Sequence, residues 1–212
     1  MSIFKRFFSC NSSEKVKPVA HSGKPVLKTD LQNYVDEYSQ GDGNSSDYVY
    51  RLETKNGWKK YFNNNFVITS RKANSRDLQA SPEYATNLEK TGNDKAFYCY
   101  GNKKDAEDAI NMRLNSLAES QSYCTHHGIY ALAFVARFDK SCPALKGKSL
   151  FKDRSSNDGA MYILPEVDEI QDEHIHIYFA GHWLPKNNQT GTLLEQEFEN
   201  SDYATFISKL RL

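Results

Sequence analysis

The stretch that most limits what this chain can fold into is Gly128 to Asp139, GIYALAFVARFD, the most apolar run in a polar sequence. If extended, it sends Ile129, Ala131, Ala133 and Val135 to one side and Tyr130, Leu132, Phe134 and Ala136 to the other. Both sides want burial, so the run predicts a central strand with structure packed on each face. Helix is the competing reading at this length. The aromatic and β-branched content and the opening Gly128 favour strand.

The rest of the chain supplies neighbours for that strand. Asp47 to Glu53, DYVYRLE, alternates Tyr48, Tyr50 and Leu52 with Val49 and Arg51, which predicts a strand. Its Arg51 reads either as a side chain paired at a sheet edge or as an anion-binding group at the floor of a cleft. Ala96 to Gly101 is a further strand. Asn102 then caps a helix running to about Glu119, with Ala106, Ala109, Ile110, Leu114 and Leu117 at helical spacing. Met161 to Leu164 is a short strand stopped by Pro165. His174 to Trp183, HIHIYFAGHW, reads as one alternating strand, with Ile175, Ile177, Phe179 and Trp183 on one face and His174, His176, Tyr178 and His182 on the other. Ser201 caps a final helix.

The intervening segments read as less regular. Trp58 to Ser70 is taken as two short extended pieces around the Asn triplet. Arg71 to Asp94 is a long irregular region with a helical turn from Ser81 to Leu88, and Lys140 to Ala160 is a loop. The expected fold is α+β: a mixed, largely antiparallel sheet of roughly five to seven strands, with one helix mid-chain and one at the C-terminus.

Residues 1–46 read as a flexible basic tail, and 47–212 as a single domain. From Met1 to Asp30 there are six basic and two acidic residues. Asp30 would cap a short helix over Leu31 to Ser39, and Gln40 to Ser46 is a loop. The opening MSIFKRFFSC lacks the apolar core of a secretory signal. It fits a frayed tail, or a peripheral membrane foothold with acylation at Cys10. The expected location is therefore cytoplasmic, or a host or target cell reached without a conventional signal peptide.

Composition excludes several classes. The 212 residues carry 27 basic and 27 acidic side chains, which gives no basic footprint for nucleic acid. No apolar run approaches the ~18 residues of a membrane span. Cys10, Cys99, Cys124 and Cys142 form no CxxC pair, so a zinc finger is not indicated. Cys124 lies near His126 and His127, but a catalytic dyad is a spatial arrangement, and the thiols read as ordinary. His174-x-His176 has a spacing used by metal sites, with His126, His127 or an acid as further ligands. A polar sheet face is the commoner reason for that pattern.

The order of elements resembles the mono-ADP-ribosyltransferase fold of the cholera-toxin and pertussis-toxin type. Tyr50-Arg51 matches a Y-R pair on that family's first strand. Phe97 to Gly101, FYCYG, stands where the family has an aromatic–Ser-Thr-Ser strand leading into a helix. GIYALAFV stands where the family has a strand like GYIYEV. The resemblance covers roughly Tyr48 to Trp183 and its motifs are short. Tyr98-Cys99-Tyr100 replaces Ser-Thr-Ser, and Thr69-Ser70 is an alternative hydroxyl pair. No E-x-E stands ahead of the last long strand. Glu166-Val167-Asp168 with Glu169 is the nearest acid group there, and a different alignment puts the catalytic position near Asn157 or Asp158. The E-x-E spacing occurs only later, over Glu195, Glu197 and Glu199.

The resemblance implies NAD as substrate and a protein as target, in an effector or toxin-type domain. Arg51 would anchor NAD, and Tyr98 and Tyr100 would shape the nicotinamide pocket. Glu166 or Glu169 would be the catalytic carboxylate, stabilising the oxocarbenium charge that develops as the ribose–nicotinamide bond breaks. The alternative is a non-enzymatic interaction protein, either a catalytically silent relative or an unrelated binding module.

Overall fold

Strand β4, Leu132–Asp139, is buried along nearly its whole length. It pairs antiparallel with β1 (Tyr48–Thr54) on one side and β7 (Ile175–Phe179) on the other. Such a strand has no solvent face, which is why its sequence is apolar at consecutive positions. The computed structural model describes residues 28–62, 68–73, 75–120, 132–154 and 161–212. The basic opening with Cys10, the Gly128–Ala131 start of the central run, Cys124, His126, His127, Asn157 and Asp158 lie outside the described residues.

The fold is α+β, built on one antiparallel sheet. From β4 the sheet continues on one side through β1, β3 (Lys95–Tyr100), β6 (Met161–Pro165) and β5 (Phe151–Lys152), and on the other through β7 and β8 (His182–Pro185). A two-residue strand, β2 (Arg71–Lys72), pairs with the start of β3. These make eight strands among the described residues. The count exceeds the expected range because β2 and β5 are too short to leave a period-2 pattern.

Paired residues of an antiparallel ladder point the same way, so the register defines two faces. Arg51, Glu53, Phe97, Cys99, Phe134 and Phe138 share the first. Tyr48, Tyr50, Tyr98, Tyr100, Arg137, His176 and Trp183 share the second. Two helices, α2 (Trp58–Phe62) and α6 (Asn188–Asn200), cover the first face. Rings of Tyr61 and Trp58 meet Phe134 edge-on, with centroids 4.9 and 5.6 Å away, and Phe198 of α6 lies 6.5 Å from Trp58. Helix α5 (Lys103–Ser120) packs on β1 and β3, with Ala106, Ala109 and Ile110 fully buried. The paired helices α3 (Ser75–Ala80) and α4 (Pro82–Thr91) sit near β5. The last helix, α7 (Tyr203–Ser208), touches α5 and α6.

The irregular region expected over Arg71 to Asp94 is largely helical, formed by α3 and by α4, which Ser81 caps by accepting from Tyr84 N–H. Four further expectations need correction. Trp58 to Phe62 is helical rather than extended, because its aromatic residues pack on β4 as one helical stripe. His174 to Trp183 is not one strand. Ala180 and Gly181 take left-handed φ of 49° and 91° and close a two-residue turn, the geometry that lets a tight hairpin follow the strand twist. The turn moves Trp183 opposite Tyr178, onto the face of His176. Glu195 to Glu199 lies within α6, which Asn187 caps by accepting from Thr190 N–H, while α7 is capped by Asp202 rather than Ser201.

The fourth concerns the boundary at residue 46. From residue 28 onward the chain belongs to the packed body. Helix α1 (Lys28–Tyr38) buries Tyr34 and Val35, and the Tyr34 hydroxyl donates to Asn187 Oδ1 at 3.1 Å and lies 2.9 Å from Thr190 Oγ1. Gln40 N–H donates to the Trp183 carbonyl at 2.8 Å. The apolar stripe of α1 needed a surface to cover, and it found β8 and the start of α6.

Packing between α6 and α2 is close enough to exclude a side chain. A Cβ at Gly191 would stand 2.6 Å from Phe62 Cγ. Gly191→Ala is expected to cost about 1–3 kcal/mol through overpacking, read as a lowered midpoint in urea unfolding. A midpoint equal to wild type would show that the α2–α6 contact is loose.

Candidate functional site

Strands β1 and β3 share a single registered pair, Tyr50 with Tyr100. Beyond it the two part, and β2 takes the edge of β3 instead, with Arg71 opposite Ala96. Arg51 stands at this seam, on the first face. Its guanidinium carbon lies 4.8 Å from the centre of the Phe97 ring, and Nη2 lies 2.9 Å from Glu53 Oε1. Tyr61 of α2 donates to the same carboxylate oxygen at 2.7 Å. Glu53 Oε2 sits so close over Gly57 that a Cβ there would come within 2.6 Å of it.

Arg51 and Glu53 are two apart on one strand, so they project side by side. Burial works most strongly against the charge of Arg51, but the Glu53 carboxylate together with Tyr61 and Cys99 outweighs it and raises the pKa. The Tyr61 hydroxyl is held well above its ordinary range, first by burial and then by Glu53. The Arg51 side chain is 29 % exposed and that of Glu53 is 11 % exposed. The cluster therefore offers a fixed cation that a solute can reach, with a sheltered carboxylate beside it.

The residues expected to share a pocket with Arg51 are distributed otherwise. Tyr98 and Tyr100 lie on the second face of β3, with the sheet between their rings and the Arg51 guanidinium. The Tyr98 ring lies 4.7 Å beneath the Arg71 guanidinium, and Tyr100 is buried in the core. Alternation along β3 puts Phe97 and Cys99, not the tyrosines, on the Arg51 side. Glu166 follows β6 in a left-handed conformation, φ 56°. Its N–H donates to the Lys95 carbonyl at 3.3 Å, and its own carbonyl accepts from Lys148 Nζ at 2.8 Å. Glu169 is exposed. Neither carboxylate is ion-paired to Arg51. The acid that touches it is Glu53, which the sequence reading passed over although Arg51-x-Glu53 continues the strand alternation.

Thr69 and Ser70 both donate their hydroxyls to the Val167 carbonyl, each at 2.8 Å, and tie this segment to the acidic loop. Within the E-x-E spacing, Glu197 accepts from Lys209 and from Ser201, and Glu199 accepts from Lys55. These are ties within and between helices.

On the second face, Arg137 is 1 % exposed. Its guanidinium carbon lies 4.2 Å from the Tyr48 ring centre and 4.4 Å from the Trp183 ring. Nη1 donates to the Asp42 carbonyl at 2.7 Å and Nη2 to the Gly41 carbonyl at 3.1 Å. Asp42 also accepts from Trp183 Nε1 and from Lys103 Nζ, which holds its carboxyl below the ordinary range. His176, opposite Arg137 in the ladder, is 6 % exposed. Burial and the Arg137 charge lower its pKa to about 4. His174 Nδ1 is 4.0 Å from Asp139. No group of three or more metal-ligating side chains stands together among the described residues. Burial pushes the Cys99 thiol up to about 12 and also raises that of Cys142, which leaves both poor nucleophiles.

Comparison with protein-family models, characterised proteins and solved structures yields no match to this chain. No described helix is long and apolar enough to cross a membrane.

Tyr61→Phe removes a donor from a buried carboxylate and is expected to lower stability by about 1–2 kcal/mol, measured in urea. A separate expectation concerns acid. The unfolded imidazole of His176 takes its proton near 6.5, and the folded one only near about 4. Between these values the unfolded chain binds more protons, so stability falls as pH falls, by on the order of 2–3 kcal/mol across the window. His176→Gln should flatten the stability profile between pH 6.5 and 4, and a profile as steep as wild type would remove His176 as the cause.

Proposed function

We propose that this chain is an ADP-ribosyltransferase-like domain of effector or toxin type, transferring ADP-ribose from NAD to a protein. Adjacency supports this reading. The strand bearing Arg51, the strand of Phe97 to Tyr100, and the short strand that ends at Pro165 are consecutive neighbours in the sheet. The first two part beside Arg51. In this reading the Arg51 fork takes a phosphate or ribose of the dinucleotide. Heterolysis of the ribose–nicotinamide bond leaves the electron pair on nicotinamide and positive charge on the ribose. A carboxylate faces that charge until a nucleophile of the target attacks the same carbon. Glu166 and Glu169 remain candidates for the carboxylate, and Glu53 joins them by its contact with Arg51. Tyr98 and Tyr100 support β3 from its other face.

A second reading, a non-enzymatic interaction protein or silent relative, is favoured by one observation. Arg51 already has an internal partner in Glu53, and Tyr61 holds that partner in place.

The two readings separate on incubation of purified full chain with labelled NAD and a cell lysate. Arg51→Ala is expected to weaken NAD binding tenfold or more, the loss of a charge-assisted contact of about 1.5–3 kcal/mol. One of Glu53→Gln, Glu166→Ala and Glu169→Ala is expected to lower label transfer by on the order of 10²–10³. Folded wild-type protein that neither binds nor turns over NAD would overturn the transferase reading and leave the interaction protein.

A further inference from the structure

The strongest unabsorbed feature is a pair of buried polar atoms on the second face. Among the described residues, Arg137 Nε and His176 Nδ1 have no hydrogen-bond partner. Their residues are directly opposed in the β4–β7 ladder and project to the same side. Arg137 cannot turn to satisfy Nε elsewhere. The rings of Tyr48 and Trp183 hold its plane, and its two terminal nitrogens are committed to the carbonyls of Asp42 and Gly41. His176 is fixed by a strand paired on both edges. A buried donor or acceptor left unmade costs about as much as a lost hydrogen bond, and native proteins satisfy such groups with ordered water where no side chain reaches.

We propose that Arg137 and His176 together hold one buried water molecule, which accepts from Arg137 Nε–H and donates to His176 Nδ1. The proposal assigns the imidazole proton to Nε2, and with that tautomer the chemistry selects water over an anion. Nε–H is a donor only, and Nδ1 of a neutral imidazole with its proton on Nε2 is an acceptor only. The occupant must therefore accept on one side and donate on the other. Chloride or a carboxylate accepts from Arg137 but faces the Nδ1 lone pair with another lone pair. The charged groups that act on His176 are Arg137, Asp139 and His174, and burial with the Arg137 cation keeps its imidazole neutral at pH 7. The water then completes the donor set of the guanidinium, as the two loop carbonyls do for the terminal nitrogens.

The test is a high-resolution crystal structure of the full chain, joined to nitrogen NMR of its histidines and arginines at pH 7. The expected result is a single ordered water within hydrogen-bond distance of both atoms, the Nε2–H tautomer at His176, and a slowly exchanging Arg137 Nε–H that shows exchange with water. In His176→Leu the water is expected to be lost and Arg137 Nε–H exchange to accelerate at least tenfold. His176→Asn, which keeps a polar side chain there, should retain slow exchange. A direct bond between Arg137 Nε and His176 Nδ1, an Nδ1–H tautomer, or a dry contact would each overturn the proposal.

Discussion

A guanidinium cannot shed its charge when it is buried, so a fold that encloses one must arrange itself around that group. Arg137 is the case here. It sits towards the end of the central strand, with two aromatic rings against its guanidinium and two main-chain carbonyls across its fork. Those four contacts come from three places in the chain: β1, β8 and the loop that follows α1. Satisfying one side chain therefore fixes where the N-terminal helix can lie, how β8 folds back on β7, and how β1 is held against β4. Asp42 extends the arrangement by gripping Trp183 and Lys103 through its side chain while its carbonyl serves Arg137.

Arg51 has the opposite character. It lies where the sheet comes apart rather than where it is knit together. One partner, Glu53, is local, and the ring beneath it belongs to the strand across the seam. Such a group is stable as it stands, yet only one carboxylate must yield for it to take up an anion. The two arginines are a strand apart and face opposite ways. The buried one serves architecture, and the reachable one is the focus of the chemical proposal.

The sequence made the framework legible where side chains obey a single period. The two-sided apolar run, the helix after Asn102 and the α+β class followed from pattern alone. Reading failed where a turn or a tertiary contact overrode the period. Ala180 does not announce a left-handed residue as an Asn or Gly would, so two strands looked like one, and Trp183 was placed on the wrong face. Trp58, Tyr61 and Phe62 can serve a strand or a helix equally, and only packing on Phe134 decides. Arg137 was overlooked because it closes an apolar run, where a charge reads as the exit to solvent. In the candidate site, Arg51 was visible and Glu53 was also visible two residues later. The faces of Tyr98 and Tyr100 depended on a register that no single strand can reveal.

The bridge from Gln40 to Trp183 has a consequence beyond holding the loop. Among the described residues β8 is the last strand on its side of the sheet, and an uncovered last strand is a template on which another chain can add itself. By lending one residue to that edge, the segment after α1 takes up a ladder position that a second molecule would otherwise use. Residues 40–42, which first read as part of a tail, thus cover a sheet edge and complete the surroundings of the buried guanidinium at the same time.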